Sequence, residues 1–112
     1  MRFLLLMYHA EGAFSETELP REMASALRVC HDLHAKGQYV DASPLQPVAT
    51  ATSIRIRNGA RLLSDGPFAE TKEQLGGYVL IEAESLEQAI EAASRFPAAK
   101  VGTVEIRQCW DG

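Results

Sequence analysis

Cysteine is scarce in this chain, and basic clusters and long apolar runs are missing. The two cysteines, Cys30 and Cys109, are far apart and match no metal or redox spacing, which predicts two reduced thiols. The eleven basic residues are scattered over a chain of net charge −4, which argues against a nucleic-acid partner. The apolar run between Arg2 and His9 is too short to span a membrane and lacks a small-residue cleavage site, so we expect a cytoplasmic protein.

Recognisable cofactor and catalytic motifs are also missing. The chain has no P-loop, dinucleotide fingerprint, nucleophile elbow or zinc motif, so we expect no cofactor and no metal ion. Cys30, His31 and His34 stand close together on one predicted helix, but no second cluster of ligands accompanies them. What is present is ordinary, because 112 residues with 46% hydrophobic and 23% charged side chains indicate one globular domain over residues 1–112.

Apolar periodicity and turn residues divide the chain into strands and helices. In chain order we expect a strand at 2–9, a helix from about residue 16 or 18 to 36, a strand at 38–43, a hairpin at 53–64 turning at Asn58-Gly59, a strand at 77–83, a helix from Ser85 ended by Pro97, and a strand at 103–110. This order predicts an α+β ferredoxin-like sandwich, with two helices on one face of an antiparallel sheet.

Both predicted helices carry an apolar stripe that we expect to be buried. The stripe repeats at spacings of three and four residues, as an amphipathic helix requires. Its members are Leu19, Met23, Leu27, Cys30 and Leu33 in the first helix, and Leu86, Ala89, Ile90 and Ala93 in the second. Ser85 and Gln88 have the spacing of a capping box, which predicts the start of the second helix.

The first strand is apolar on both of its faces. Leu4, Leu6 and Tyr8 point to one side of the sheet, and Phe3, Leu5 and Met7 point to the other side. One helix layer covers only one face, so the other face needs a second layer. In so short a chain that layer can be another subunit, and we therefore expect a homodimer.

The most specific stretch of the sequence runs from residue 65 to residue 78. It reads Asp65-Gly66-Pro67-Phe68-Ala69-Glu70-Thr71-Lys72-Glu73-Gln74-Leu75-Gly76-Gly77-Tyr78. Asp-Gly-Pro forces a sharp turn, because Gly tolerates positive φ and Pro fixes its own φ. A charged and amide-rich rim follows, and the Gly-Gly pair opens a strand.

This stretch resembles the DGPF-domain proteins of the YCII-related superfamily, and the resemblance extends over nearly the whole chain. Supporting segments are Leu45-Gln46-Pro47, Ala49-Thr50-Ala51-Thr52, Pro97-Ala98-Ala99 and Gly102-Thr103-Val104-Glu105-Ile106-Arg107. The resemblance implies a ferredoxin-like fold of the dimeric α+β barrel type, in which two sheets face each other. Some bacterial members are encoded beside, or fused to, extracytoplasmic-function sigma factors, so a sigma-factor partner is also implied.

One departure from the wider superfamily concerns a proposed catalytic pair. Relatives carry a histidine within the first helix and an Asp-Pro after the second helix. By register, the corresponding positions here are about Ala26 and Phe96. The pair is therefore not carried over to this chain.

Two residues are candidates for moving a proton. Asp65 closes a strand at a tight turn, where its carboxylate can reach a pocket or instead hold the turn through backbone hydrogen bonds. His9 ends the buried first strand, where an imidazole can serve as a general base near neutral pH or simply pack at the edge of the core.

Four charged residues are candidates for holding a ligand. Glu70 and Lys72 belong to the rim after the turn, which is either a ligand contact or a solvated loop. Arg55 and Arg57 share one face of the hairpin, where a free guanidinium can bind a carboxylate in bidentate fashion. Alternatively, they join Glu105 and Arg107 in a structural ion-pair network.

Taken together, these features predict a small protein that binds an organic molecule in a cleft near the residue 65–72 turn. The cleft would lie between sheet and helices or inside a dimeric barrel. The alternatives are a cofactor-free acid–base enzyme resembling isomerases or monooxygenases of related folds, and a regulatory module that binds a sigma factor.

Overall fold

The structure is a computed structural model that describes residues 1–111. Its elements are β1 (Arg2–Ala10), α1 (Leu19–Ala35), β2 (Tyr39–Pro44), a 3-10 helix (Val48–Thr50), β3 (Thr52–Arg57), β4 (Ala60–Asp65), β5 (Glu73–Glu82), α2 (Leu86–Ser94), α3 (Ala98–Val101) and β6 (Thr103–Gln108). The predicted order of elements is confirmed, and the short α3 and the 3-10 helix are additions to it.

Four strands form one antiparallel sheet in the order β2-β5-β1-β6. The crossover order and the helices packed on one face make this a ferredoxin-like α+β fold, as predicted. Strands β3 and β4 form a separate two-stranded sheet. We call this segment, residues 52–65, the hairpin arm, and the remainder of the described chain the body.

The core lies between the four-stranded sheet and the helices. Phe3 and Leu5 of β1 pack beside Val79 and Ile81 of β5, and none is more than 4% exposed. The helix layer contributes Val29, Leu33, Ala89, Ala92, Ala93 and Phe96. Full burial of a large apolar side chain contributes about 1.5–3 kcal/mol, so this layer is the main source of the fold's stability.

The predicted apolar stripes of the two long helices are only partly buried. In α1, Leu33 is buried and Cys30 packs against the core, but the prediction is wrong for Leu19, Met23 and Leu27, which are 44%, 48% and 56% exposed. The core instead uses Val29. In α2 the alanines are buried, whereas the leucine at position 86 and the isoleucine at position 90 are about half exposed.

The start of α2 follows its predicted cap. The backbone N–H of Gln88 donates to Ser85 Oγ at 3.2 Å, and Gln88 Oε1 accepts from the backbone N–H of Glu84 at 2.8 Å. In a capping box the Gln88 side chain would accept from the backbone N–H of the N-cap residue, Ser85, but here it accepts from the residue before it. The prediction for Pro97 is wrong, because α2 ends at Ser94 and Pro97 stands at the N-cap of α3.

Strand β5 contains a bulge at Gly76. Met7 pairs with Gly77 while Tyr8 pairs with Leu75, which leaves Gly76 as the extra residue. A Cβ on Gly76 would lie 2.4 Å from His9 Nε2, so the imidazole ring occupies the space that a side chain would need. The prediction that the Gly-Gly pair opens the strand is wrong, because β5 already begins at Glu73.

The hairpin arm projects from the body. Its turn uses Asn58 and Gly59, both at positive φ, as the sequence predicts for a two-residue loop. The radius of gyration is 15.7 Å, against about 13 Å for a compact chain of this length. Strands β3 and β4 make extensive contacts only with each other.

Both cysteines are free thiols in the structure, as predicted. Cys30 of α1 is half-buried against the core, and burial raises the pKa of its thiol. No helix in residues 1–111 is both long and apolar enough to cross a membrane.

Candidate functional site

The open face of the sheet is the face that the helices leave uncovered. Leu4 and Leu6 of β1 lie on it, directly opposite Leu80 and Tyr78 of β5. All four side chains are half-buried. They form an apolar floor on a sheet whose other face is fully packed.

A hydrogen-bonded pair stands at the β2 side of this floor. The Tyr78 hydroxyl donates to Asp41 Oδ2 at 2.9 Å. The register of β2 with β5 places Asp41 opposite Leu80 and Ser43 opposite Tyr78, so all of these side chains share the open face. The hydrogen bond to the carboxylate, followed by its negative charge, raises the pKa of the Tyr78 phenol.

Charged and hydroxyl groups stand at the β6 side of the floor. Thr103 Oγ1 donates to Glu73 Oε1 at 2.9 Å, and Arg107 Nη1 donates to Glu105 Oε2 at 3.1 Å. The pairing of β1 with β6 puts Thr103 opposite Tyr8 on the open face. Glu105 and Arg107 thus form an ion pair within β6.

An ion pair lies at the far end of the same face. Arg2 Nε lies 2.8 Å from Glu82 Oε1, and the amino group of Met1 lies 3.6 Å from Glu82 Oε2. The hydrogen bond from Arg2 lowers the pKa of the Glu82 carboxyl. The open face thus has an apolar centre and polar margins, an arrangement suited to a small molecule with a flat ring and hydroxyl groups.

The space between sheet and helices offers no comparable site. It is filled by the core, so the predicted cleft at that position is not formed. Two shallow clefts of about 170 and 180 Å³ lie at the helix layer instead, beside Arg95. Neither includes a residue from the 65–72 turn. Within residues 1–111, no three His, Cys, Asp or Glu side chains are grouped to hold a metal ion.

Asp65 ends β4 at the base of the hairpin arm. Its side chain is exposed and makes no hydrogen bond to the described residues. The turn is held instead by backbone and hydroxyl groups: Gly66 N donates to Ala51 O at 2.7 Å, and Ser53 Oγ donates to Gly66 O at 2.9 Å. The Asp65 side chain therefore does not hold the turn through hydrogen bonds to the backbone.

His9 lies on the helix-facing side of β1, opposite Gln74. Its Nδ1 is 3.2 Å from Ala10 O, which requires this nitrogen to carry the proton, and its ring meets Phe14 edge-on at 5.5 Å. By strand alternation, His9 and Tyr78 point to opposite sides of the sheet. The structure does not bring His9 together with Asp65 of the arm.

The remaining predicted site residues are also separated. Glu70 and Lys72 are exposed in the loop between β4 and β5, and Gln74 Nε2 fixes that loop by donating to Ala69 O and Thr71 O. Arg55 and Arg57 are exposed on the arm, in a different sheet from Glu105 and Arg107. Within one copy, the four charged side chains therefore form no common network.

Sequence reasoning missed Tyr78 and Asp41. A signal existed for Tyr78, since it ends the 65–78 motif as a hydroxyl-bearing residue inside an apolar strand. Asp41 had no such signal, because its position opposite Leu80 depends on an irregularity in β2 at Val40. The two positions aligned above with the proposed catalytic pair of relatives are apolar: Phe96 is fully buried and Ala26 packs against the core.

The fold, with its helices on one face and a half-buried open face on the other, defines a ferredoxin-like α+β protein. The model of the YCII-related domain matches residues 1–111, and the chain belongs to this family, for which DGPF is another name. An uncharacterised protein of Rhizobium meliloti (strain 1021) is 36% identical over 116 aligned positions, which cover 96% of this chain and 90% of that protein.

A solved structure confirms the fold class. The 5-chloro-2-hydroxyhydroquinone dehydrochlorinase of Burkholderia phenoliruptrix AC1100, in complex with 2,5-dihydroxybenzoquinone, is similar with a TM-score of 0.58 and 17% sequence identity. The similarity covers 100% of this chain and 96% of that chain. That protein is of the dimeric α+β barrel type, which is the fold predicted here.

Proposed function

We propose that the protein binds a small hydroxylated ring compound on the open face of its sheet, inside a barrel closed by a second copy. The observation that carries the proposal is the Tyr78–Asp41 pair beside an apolar floor. A flat ring can lie on Leu6 and Leu80, while its oxygen substituents reach the polar margins. The structurally similar dehydrochlorinase holds 2,5-dihydroxybenzoquinone, a ring of this kind.

Tyr78 is suited to recognise a ligand rather than to accept its proton. Because Asp41 accepts the phenol hydrogen, the pKa of Tyr78 is raised and the hydroxyl stays protonated at neutral pH. Its oxygen keeps lone pairs that can accept a hydrogen bond from a ligand hydroxyl. Binding is therefore the leading function, ahead of acid–base catalysis.

The apolar floor supports closure by a second copy. Leu4, Leu6 and Leu80 are half-buried in one copy and have no helix above them. An apolar sheet face left in water loses the free energy that a second layer would supply. A second sheet facing the first would cover the floor and enclose the ligand. Association with a sigma factor and a cytoplasmic location stay predictions.

Removal of the Tyr78 hydroxyl tests the proposal. We expect wild-type protein to bind 2,5-dihydroxybenzoquinone in calorimetry, and Tyr78→Phe to bind it about two- to twelvefold more weakly, since one neutral hydrogen bond contributes about 0.5–1.5 kcal/mol. Tyr39→Phe is the matched control, because Tyr39 packs against the core on the other face.

Two results would contradict the proposal. One is the absence of measurable heat with the wild-type protein at millimolar quinone. The other is an equal loss of affinity in Tyr78→Phe and Tyr39→Phe, which would indicate a general effect on folding. Retained affinity in Tyr39→Phe beside weakened affinity in Tyr78→Phe supports the open face as the site.

A further inference from the structure

The hydroxyl groups at the β2 side of the open face have already given their protons to the protein. Tyr78 donates to Asp41 Oδ2 at 2.9 Å, and Ser43 Oγ, opposite Tyr78 in the strand pairing, donates to Pro44 O at 2.8 Å. A hydroxyl has one proton and two lone pairs, so both oxygens can only accept a hydrogen bond from a ligand. The second oxygen of the Asp41 carboxylate is a further acceptor.

The β6 side of the floor has the same character. Thr103 Oγ1 donates to Glu73 Oε1 at 2.9 Å, and Glu105 Oε2 accepts from Arg107 Nη1 at 3.1 Å. The second oxygen of each carboxylate and the lone pairs of the Thr103 hydroxyl remain for a ligand, and all of them accept. Both sides of the floor therefore offer acceptors to a ring that lies on it.

Hydrogen-bond donors for a ligand are few on the strands of this face. Tyr8 is half-buried on β1, and its hydroxyl bonds to none of the residues described, so its proton can go to a ligand. Arg2 already donates to Glu82 at 2.8 Å, and its side chain is 52% exposed. Arg107 already donates to Glu105, and its side chain is 70% exposed. Around the floor, acceptors thus prevail over donors.

This excess of acceptors determines which oxygen substituents of a ring fit. A hydroxyl on an aromatic ring brings a proton and can bond to an acceptor. A quinone carbonyl brings only lone pairs, so beside Tyr78 or Asp41 it would oppose two acceptors with no proton between them. A site that is built to bind a donor discriminates against a ligand that lacks it, because polar groups of the site are left unpaired.

We propose that the open face selects rings whose oxygen substituents are hydroxyl donors, and that it binds the reduced, polyhydroxylated form of a ring more tightly than the quinone form. This inference rests on the proposed function, since it concerns the same face, and it adds the oxidation state of the ligand. A second copy facing the first would keep the preference, because an identical sheet brings identical groups.

A pair of ligands that differ only in oxidation state tests the proposal. In 1,2,4,5-tetrahydroxybenzene, hydroxyls replace the two carbonyls of 2,5-dihydroxybenzoquinone on the same carbon and oxygen skeleton. We expect wild-type protein to bind the reduced ring at least about fivefold more tightly in anaerobic calorimetry, because each of the two added hydrogen bonds contributes a factor of about two or more.

Replacing the carboxylate at the β2 side tests the cause of the preference. An asparagine amide can donate as well as accept, so in Asp41→Asn a carbonyl gains a partner and the ratio of the two affinities should fall to about twofold or less. Asp32→Asn is the matched control, since it removes the same charge from α1 in the helix layer, and it should keep the wild-type ratio. A general weakening of the fold lowers both affinities alike and leaves their ratio unchanged.

The outcomes separate this inference from the proposed function. Equal affinity of the wild-type protein for the two rings, or tighter binding of the quinone, would overturn the inference and leave ring binding on the open face standing. An unchanged ratio in Asp41→Asn would also overturn it, because the Tyr78–Asp41 pair would then not set the preference. Absence of heat with both rings would contradict the proposed function, and the inference would fall with it.

Discussion

The Tyr78 hydroxyl is held as a hydrogen-bond donor by its neighbour Asp41. Its proton is held by Asp41 at 2.9 Å, on an edge of the sheet that one copy leaves in solvent. The carboxylate cannot donate when ionised, so the hydrogen bond has only one direction. The pair therefore presents a ligand with a phenol oxygen and with the second carboxylate oxygen, both of which accept hydrogen bonds.

Replacing the carboxylate should change the titration of the phenol. We expect Asp41→Asn to lower the pKa of Tyr78 toward its ordinary value, because both the charge and the ionic acceptor are lost. Ultraviolet titration of tyrosinate absorbance, compared with Tyr78→Phe to assign the signal, measures the change. An unchanged titration curve in Asp41→Asn would show that the pair does not persist in solution.

The same pair sets a pH window for stability. The pKa of Tyr78 is higher in the folded state than in the unfolded state. The hydrogen bond to Asp41 therefore stabilises the fold fully below the unfolded pKa of about 10, and this stabilisation is lost as pH rises through the folded pKa. The contribution of Glu82 depends on pH in the opposite direction, because Arg2 lowers the pKa of its carboxyl in the folded state. Its contribution is present above the unfolded pKa and is lost as pH falls.

At the scale of elements, the bulge in β5 ties the glycine motif to the first strand. Gly76 leaves room for the His9 ring, and Gly77 leaves room for the backbone of Ser43 and Pro44, whose atoms would lie 3.0 and 3.2 Å from a Cβ. Glycine is therefore required at positions 76 and 77 because neighbouring atoms lie too close for a side chain, and not because the backbone adopts a positive φ. Bulges re-aim neighbouring side chains, and this one precedes Tyr78 by two residues.

Adding a methyl group at Gly76 should destabilise the fold more when His9 is present than when it is absent. We expect Gly76→Ala to destabilise the fold by about 1–3 kcal/mol, since the ring must move from a packed position. In the His9→Ala background the same change should cost less, and denaturant unfolding of the four proteins gives the coupling energy.

Gly102→Ala is the control for that experiment. A Cβ there would lie 2.0 Å from Tyr8 O and 2.9 Å from His9 Cα, which are backbone atoms that His9→Ala does not remove. Its cost should be similar in both backgrounds. Equal coupling at Gly76 and Gly102 would show that the imidazole is not the obstacle.

The strands and helices could be predicted because their turns and caps are local signals. Asn58-Gly59 and Ser85 with Gln88 formed where expected. The burial of the helices could not be predicted, because periodicity identifies an apolar stripe without showing which part meets the sheet. In α1 the core takes Val29 and Leu33 and leaves Leu27 in solvent.

At the scale of the whole molecule, β1 separates two kinds of apolar contact. Leu5 is fully buried under the helices, whereas its neighbour Leu6 is half-buried on the open face. Leu5 supports the fold of one copy, and in the proposed dimer Leu6 supports the association of two. Substitutions at these adjacent residues should therefore affect two different equilibria, the folding of one chain and the proposed association of two.

Matched substitutions at these neighbours should separate the two. We expect Leu5→Ala to lower the free energy of unfolding by about 2–5 kcal/mol, as core leucines do. Leu6→Asp should leave a folded chain but shift sedimentation toward the monomer, because a carboxylate would be placed in the apolar floor. A folded, fully dimeric Leu6→Asp protein would contradict association through the open face.

The fold was predictable at this scale, and the site was predictable only in outline. Two apolar faces on β1 predicted a second layer over the sheet, but half of the residues named for a site were drawn from one stretch of sequence. Asp65, Glu70 and Lys72 follow each other along the chain, whereas Tyr78 and Asp41 meet through strand pairing over a distance of 37 residues. Such pairings depend on register, which the sequence pattern does not specify.

The hairpin arm also has a consequence for the newly made chain. Ile54 and Ile56 on β3 would suit stacking of identical strands into aggregates. The intervening positions are Arg55 and Arg57, and like charges brought into register on stacked strands repel one another. The alternation of isoleucine and arginine thus guards the chain against self-aggregation, because the guanidiniums on one face of β3 accompany the apolar side chains on the other.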